Sequence, residues 1–158
     1  MDKKYINEFF KSIDTMEQYE LFSLTLPLTL IYKSAFNATE QLAKEKYDLL
    51  HSDIDVLASL YFNGKILSPT ELYSAMIFSS GGMTKILKKL ECLGYISRVS
   101  NPNDKRSNLV KLEQRGEEIL LNCLEDIIED REPMFDVLSQ EERENLKVIL
   151  KKIMLNLE

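Results

Sequence analysis

The run Ser68–Gly116, SPTELYSAMIFSSGGMTKILKKLECLGYISRVSNPNDKRSNLVKLEQRG, restricts the fold more than any other part of the chain. It opens on Ser68-Pro69-Thr70-Glu71. Ser68 can accept a bond from the backbone N–H of Glu71, Glu71 can reach back to the cap, and Pro69 takes the first helical position, where a missing N–H does no harm. Leu72, Tyr73, Met76 and Ile77 then face inward. Ser79 or Ser80 can cap a second helix, and Gly81 and Gly82 let its start approach another surface closely. That helix runs to Leu93, with Met83, Ile86, Leu87, Leu90 and Leu93 on one side, and Gly94 ends it. Tyr95–Val99 alternates as a strand does, and Ser107–Leu112 supplies a second. The turn formers Asn101-Pro102-Asn103-Asp104-Lys105-Arg106 join the two into a hairpin. Helix, turn, helix and hairpin in that order make a helix-turn-helix with a wing.

The rest of the chain is helical by periodicity. Only four prolines and five glycines occur in 158 residues, so tight turns are few. Residues 3–18 form one helix on the spacing of Tyr5, Ile6, Phe9, Phe10, Ile13 and Met16. Pro27 lacks a donor and marks a break or a start. A helix then runs from Leu28 to about Lys46, with Leu28, Ile31, Tyr32, Ala35, Phe36, Ala38 and Leu42 as its stripe. Ser52 with Asp55 caps the next helix, which carries Ile54, Val56, Leu57, Leu60 and Tyr61 to Asn63-Gly64 and lies under the helix-turn-helix. Gln114–Arg131 is a helix with Ile119, Leu120, Leu124, Ile127 and Ile128 inward, broken by Pro133. Ser139-Gln140-Glu141-Glu142 is a second capping box. It opens a last helix whose Leu146, Ile149, Leu150, Ile153 and Leu157 can form a dimer seam or a core contact. The expected fold is mainly α with a small β-hairpin wing.

Charge locates the function. Net charge is −6, yet residues 81–111 alone carry +5, against −4 for 1–64, 0 for 65–80 and −7 for 112–158. Such asymmetry orients a protein on a polyanion. A helix start offers N–H groups to phosphate, and a helix fits the DNA major groove. Thr84, Lys85 and Lys88 stand one turn inside that start, and Arg106 at the wing tip suits the minor groove. Asp104 holds the wing by an Asx turn or by pairing with a basic neighbour. Other chemistries find little support. Cys92 and Cys123 show no metal spacing and read as two small core residues. His51, the single histidine, belongs at a helix entry. Nucleophile–base pairs, phosphate loops and metal clusters are lacking, so no enzyme, metal or cofactor is expected. No apolar run approaches the roughly 18 residues of a membrane span, and the first residues lack a signal peptide's apolar core. A cytoplasmic location without membrane contact is the expectation.

The segment resembles the winged helix-turn-helix of the MarR family of transcriptional regulators. Pro69-Thr70-Glu71-Leu72 is similar to the first helix of that motif and Ser79-Ser80-Gly81-Gly82-Met83-Thr84-Lys85 to the opening of its recognition helix. Leu90-Glu91, Gly94-Tyr95-Ile96 and Arg98 resemble the exit into the wing. Pro102-Asn103-Asp104-Lys105-Arg106-Ser107 is similar to the wing signature, and Leu112 and Gly116 fall where the next helix begins. The resemblance implies a single domain, with a DNA-binding lobe over 48–113 and helical dimerisation regions over 1–47 and 114–158. It implies a homodimer on palindromic double-stranded DNA, acting as a repressor that a small phenolic or lipophilic effector releases. Taken with the residue reading, it assigns Ser68, Thr70, Ser79, Ser80, Gly81, Gly82, Thr84, Lys85, Lys88, Lys89, Asp104, Lys105, Arg106 and Ser107 to the DNA side. Phe9, Phe10, Ile13, Leu146, Ile149, Leu150 and Ile153 go to the dimer side. The alternative is a protein-interaction module on the same scaffold, working through its acidic helices without DNA.

Overall fold

Polar side chains next to apolar stripes decide where most of the helices begin. In the computed structural model, which describes residues 2–76, 82–102 and 104–157 and only the backbone at 104–106, Asp2 accepts from the backbone N–H of Lys4 and opens α1, Lys3–Ile13. The helix is shorter than the periodicity over 3–18 suggested. Thr15 turns its hydroxyl back onto the Ser12 carbonyl at 2.7 Å, a local bond that competes with helix continuation. One 3-10 turn follows at Glu17–Tyr19. The long helix α2 spans Phe22–Tyr47 and carries Pro27 within it, so Pro27 neither breaks nor starts it. The proline removes a single ladder bond near the helix start. Hydroxyl bonds from Thr25 to Leu21 O and from Thr29 to Thr25 O add contacts along the same stretch.

The chain divides into two units, 1–40 and 41–158. In the first, Tyr5, Ile6, Phe9 and Phe10 of α1 face Leu26, Pro27, Leu30 and Ile31 of α2 across an open apolar groove of about 420 Å³. In the second unit α3, His51–Phe62, is the central helix. It packs against α4 (Pro69–Ala75), α5 (Met83–Cys92), α6 (Gln114–Phe135) and the strand β3 (Asp104–Leu112). Its Ile54, Val56, Leu57 and Leu60 join Leu72, Leu87, Leu90, Ile96, Val110, Leu112, Leu120, Cys123 and Ile127 in one core. Two short elements complete the sheet. The strand β1, Ile66–Leu67, pairs antiparallel with β3, and β3 pairs with β2, Ile96–Asn101, giving the order β1-β3-β2. The expected hairpin is therefore a three-stranded sheet, because two residues after the Gly64-Lys65 turn suffice for an edge strand.

Several expectations give way to the structure. The start of α3 is not capped by Ser52 with Asp55. Leu50 takes the N-cap position, and its N–H donates to the Asp53 carboxylate at 2.8 Å. The helix α6 passes through Pro133 to Phe135, since only its last turn loses a bond. Ile128 lies on the exposed side of α6, and Cys92 is exposed while Cys123 is buried. Ser139 and Glu142 form the expected box at the start of α7, Gln140–Met154. The end of α2 is tied to α6 by Tyr47 and Lys46, which donate to Asp126 at 2.5 and 2.9 Å. The bond from Tyr47 and then that from Lys46 hold the Asp126 carboxyl below its ordinary range.

Gly116 shows why α6 must begin as it does. A Cβ there would collide with the Tyr95 carbonyl oxygen and come within 2.9 Å of Leu112 Cδ1. The glycine thus lets α6 seat directly on the backbone that leads into β2. Gly116→Ala should destabilise the fold by about 1–3 kcal/mol through overpacking, read as a lowered melting temperature; an unchanged melt would show that the helix start can shift.

Candidate nucleic-acid interface

The first helix of the motif is fixed by its cap. Ser68 Oγ accepts from Glu71 N–H at 3.2 Å, and Ser68 N–H donates to Glu71 Oε2 at 2.8 Å. Pro69 stands at N1. Ser68 is thus engaged within the cap, while Thr70 is exposed beside it. Leu72 is fully buried and Met76 packs against the core. Tyr73, expected inward, is 57% exposed. A seven-residue helix has room for one buried stripe, and Leu72 with Met76 already fills it.

Residues Ile77, Ser79, Ser80 and Gly81, named above for the inner face or the helix start, lie outside the described residues. At the helix start itself, Gly82 is the N-cap of α5 in the left-handed region, φ 84°, with no side-chain cap bond. Leu87 and Leu90 bury one side of α5, with Met83 and Ile86 partly buried beside them. Leu93, the C-cap, is exposed. Thr84, Lys85 and Lys88 are exposed.

Lys89 is placed differently. Its Nζ lies 2.5 Å from Asp53 Oδ2 and donates to the Asp48 carbonyl at 3.0 Å. Asp53 is 1% exposed along its side chain, against 36% for Lys89. Sequence reasoning grouped Lys89 with the surface lysines and did not see Asp53 as its partner. A signal was present: Asp53 and Asp55 are carboxylates on a helix that Ile54, Val56, Leu57 and Leu60 mark as a core helix, and Lys89 flanks Leu90 at the edge of the buried stripe.

The wing is longer than its turn formers suggested. β2 reaches Asn101 and β3 begins at Asp104, with Asn101 opposite Asp104. The register shifts between Ser100 and Asn101, so Lys105 and Arg106 belong to a strand rather than to a loop. Ser107 is half-buried and accepts from Asn101 Nδ2 at 3.0 Å, across the hairpin. The expected pairing of Asp104 concerns a side chain outside the described atoms. Two further cations of the basic stretch meet carboxylates: Arg98 lies 3.4 Å from Glu91 and Lys111 3.2 Å from Glu113. Lys85 and Lys88 are therefore exposed cations of the basic stretch on α5, and Lys105 and Arg106 stand on the β3 side of the wing.

Among the described residues no three His, Cys, Asp or Glu side chains gather to hold a metal, and no helix is long and apolar enough to cross a membrane. Of the proposed dimer residues, Phe10, Ile149 and Ile153 are exposed, and Phe9, Ile13, Leu146 and Leu150 are half-buried.

The model of the MarR family matches residues 49–108. The multiple antibiotic resistance protein MarR of Salmonella typhimurium is 35% identical over 108 residues, 68% of this chain and 74% of that protein. A solved structure of the Multiple Antibiotic Resistance Repressor, MarR, superposes with a TM-score of 0.69 at 27% identity, covering 82% of this chain and 94% of the other. A mutant MarR from E. coli complexed with operator DNA superposes with a TM-score of 0.63 at 28% identity, covering 84% and 97%.

Ser68→Ala should cost about 1 kcal/mol by removing the cap acceptor, measured by denaturant titration. Bonds from the Ser68 side chain and backbone also hold Glu71 below its ordinary carboxyl range. A depressed pKa stabilises fully above the unfolded carboxyl value and is lost as pH falls through the folded one. Ser68→Ala should therefore flatten the acid limb of the stability profile; an acid limb as steep as that of the unmodified protein would count against the cap.

Proposed function

The chain belongs to the MarR family of DNA-binding transcriptional regulators, and we propose that it works as a homodimer on a palindromic operator, with α5 in the major groove and the β2–β3 wing against the adjacent minor groove. The observation that carries this reading is the placement of Lys85 and Lys88 on the exposed side of α5, next to a basic hairpin, in a chain otherwise acidic. Each lobe, 48–113, would use Gly82, Thr84, Lys85 and Lys88 at the groove, with Ser79, Ser80 and Gly81 at the turn before them. Thr70 would serve on α4, and Lys105, Arg106 and Ser107 at the wing. Residues 1–47 and 114–158 would join the protomers through Phe9, Phe10, Ile13, Leu146, Ile149, Leu150 and Ile153. Two recognition helices reach successive major grooves only when about 34–36 Å apart, so the dimer end governs the DNA end.

The likeness to a MarR repressor supports occupation of an operator as the mode of control. A small phenolic or lipophilic effector would release the DNA by favouring a lobe spacing that no longer fits. Selection of bound sequences from a random DNA pool tests the whole reading. A two-fold symmetric site is expected; a single asymmetric half-site would overturn the dimer.

Lys85 and Lys88 account for a defined part of the salt dependence. Each phosphate neutralised adds about 0.9 to the slope of log K against log salt. Lys85→Ala with Lys88→Ala should reduce that slope by about 2, and Arg106→Ala should weaken binding with the fold intact. A slope equal to that of the unsubstituted protein would place both lysines away from phosphate.

A further inference from the structure

We infer that Lys89 is a positioning residue rather than a phosphate contact: held by Asp53 and the Asp48 carbonyl, it sets the rotation of α5 that presents Lys85 and Lys88. This rests on the DNA-binding reading of α5 given above. Several other contacts hold that helix. It has ten residues, and its N-cap, Gly82, makes no side-chain bond. Leu87 and Leu90 are buried beneath it, Met83 and Ile86 pack against the core beside them, and Glu91 near its end lies 3.4 Å from Arg98; the apolar contacts fix which side faces in, but being non-directional they leave small rotations open. The Lys89 contacts are directional. The ammonium lies 2.5 Å from Asp53 Oδ2 and 3.0 Å from the Asp48 oxygen. Asp48 has φ 53°, in the left-handed region, at the corner between α2 and α3. The same Asp53 oxygen accepts from Leu50 N–H at 2.8 Å. One buried carboxylate therefore joins the start of α3 to α5, and Lys89 reaches both that carboxylate and the α2–α3 corner.

Helical spacing carries the effect outward. Lys85 lies four residues before Lys89, so the two are neighbours along one side of the helix. Fixing Lys89 on its inner flank fixes the direction of Lys85, and Lys88 follows one residue away. The Lys89–Asp53 pair has no net charge and offers phosphate little attraction. Moving the ammonium to DNA would leave Asp53, 1% exposed, without its cation, and a buried unpaired carboxylate is costly.

The test measures salt dependence on the duplex recovered by selection, for the full chain, with circular dichroism confirming the fold of each variant. Lys85→Ala is the reference and should lower the slope by about 1. Lys89→Met should weaken binding roughly tenfold, and Lys89→Arg should recover most of the loss; in a chain that already carries Lys85→Ala and Lys88→Ala, Lys89→Met should leave affinity and slope as they are. Asp53→Asn, which keeps an acceptor for Leu50 N–H, should also weaken binding. A slope lowered by a further unit, about 1, when Lys89→Met is added to the chain lacking both lysines would make Lys89 a phosphate contact and overturn the proposal. So would unaltered affinity of Lys89→Met in the otherwise unsubstituted chain, or a steeper slope in Asp53→Asn, which would mean that Asp53 holds a phosphate contact back. Salt-independent binding by the unsubstituted protein is a separate outcome. It would remove the DNA reading itself, and the positioning role with it.

Discussion

Burial of α3 on nearly every side is the constraint on which the 41–158 unit depends. Val56, Leu57 and Leu60 are fully buried and touch a core drawn from α4, α5, α6 and the sheet. A helix enclosed in this way cannot keep a solvated polar face, so its polar residues must find partners inside. Asp53 does so twice, with Leu50 N–H and with Lys89. Ser59 donates to the Ala75 carbonyl at the end of α4. The polar contacts of α3 are thus the points at which α4 and α5 are registered against the core, while the apolar contacts supply most of the driving force.

Ion pairing redistributes the charge that the sequence shows. Residues 81–111 hold seven cations and two carboxylates. Lys89, Arg98 and Lys111 each meet a carboxylate, and two of those carboxylates, Asp53 and Glu113, lie outside the segment. Lys65 bridges to Glu117 and Lys46 to Asp126 in the same manner, tying the turn before β1 and the end of α2 to α6. The acidic α6 therefore does two things. It fastens the lobe through Glu117 and Asp126, and its remaining carboxylates disfavour any approach of DNA from that side.

Much of the fold was legible in the sequence where one local signal sufficed. Ser68 with Glu71 and Ser139 with Glu142 announced two helix starts, Gly94 a helix end, and Leu87 with Leu90 the inner side of α5. The errors share a cause. Pro27 and Pro133 read as breaks because local rules count a lost bond, whereas tertiary packing carries the helix through it. Residues 3–18 read as one helix because periodicity does not register the Thr15 hydroxyl closing on Ser12. β1 is too short to alternate, and its strand state exists only through β3. At the site, Lys85 and Lys88 were legible as exposed cations. The pairing of Lys89 was not, because Asp53 lies 36 residues away in the chain. Tyr73 and Cys92 went wrong for a simpler reason: a short helix buries one stripe, and residues off that stripe stay outside whatever their polarity.

The contrast between the two cysteines has a practical meaning. Cys123 is buried in the core, and desolvation, with Asp126 adding to it, pushes its thiol up to about 11. Cys92 is exposed at the end of α5, one turn beyond Lys88. Near neutral pH a maleimide dye would therefore react at one position only, since a buried protonated thiol is inert. That position sits on α5, the helix proposed for the major groove, so the unaltered chain provides a native attachment point for a fluorescent reporter of that docking.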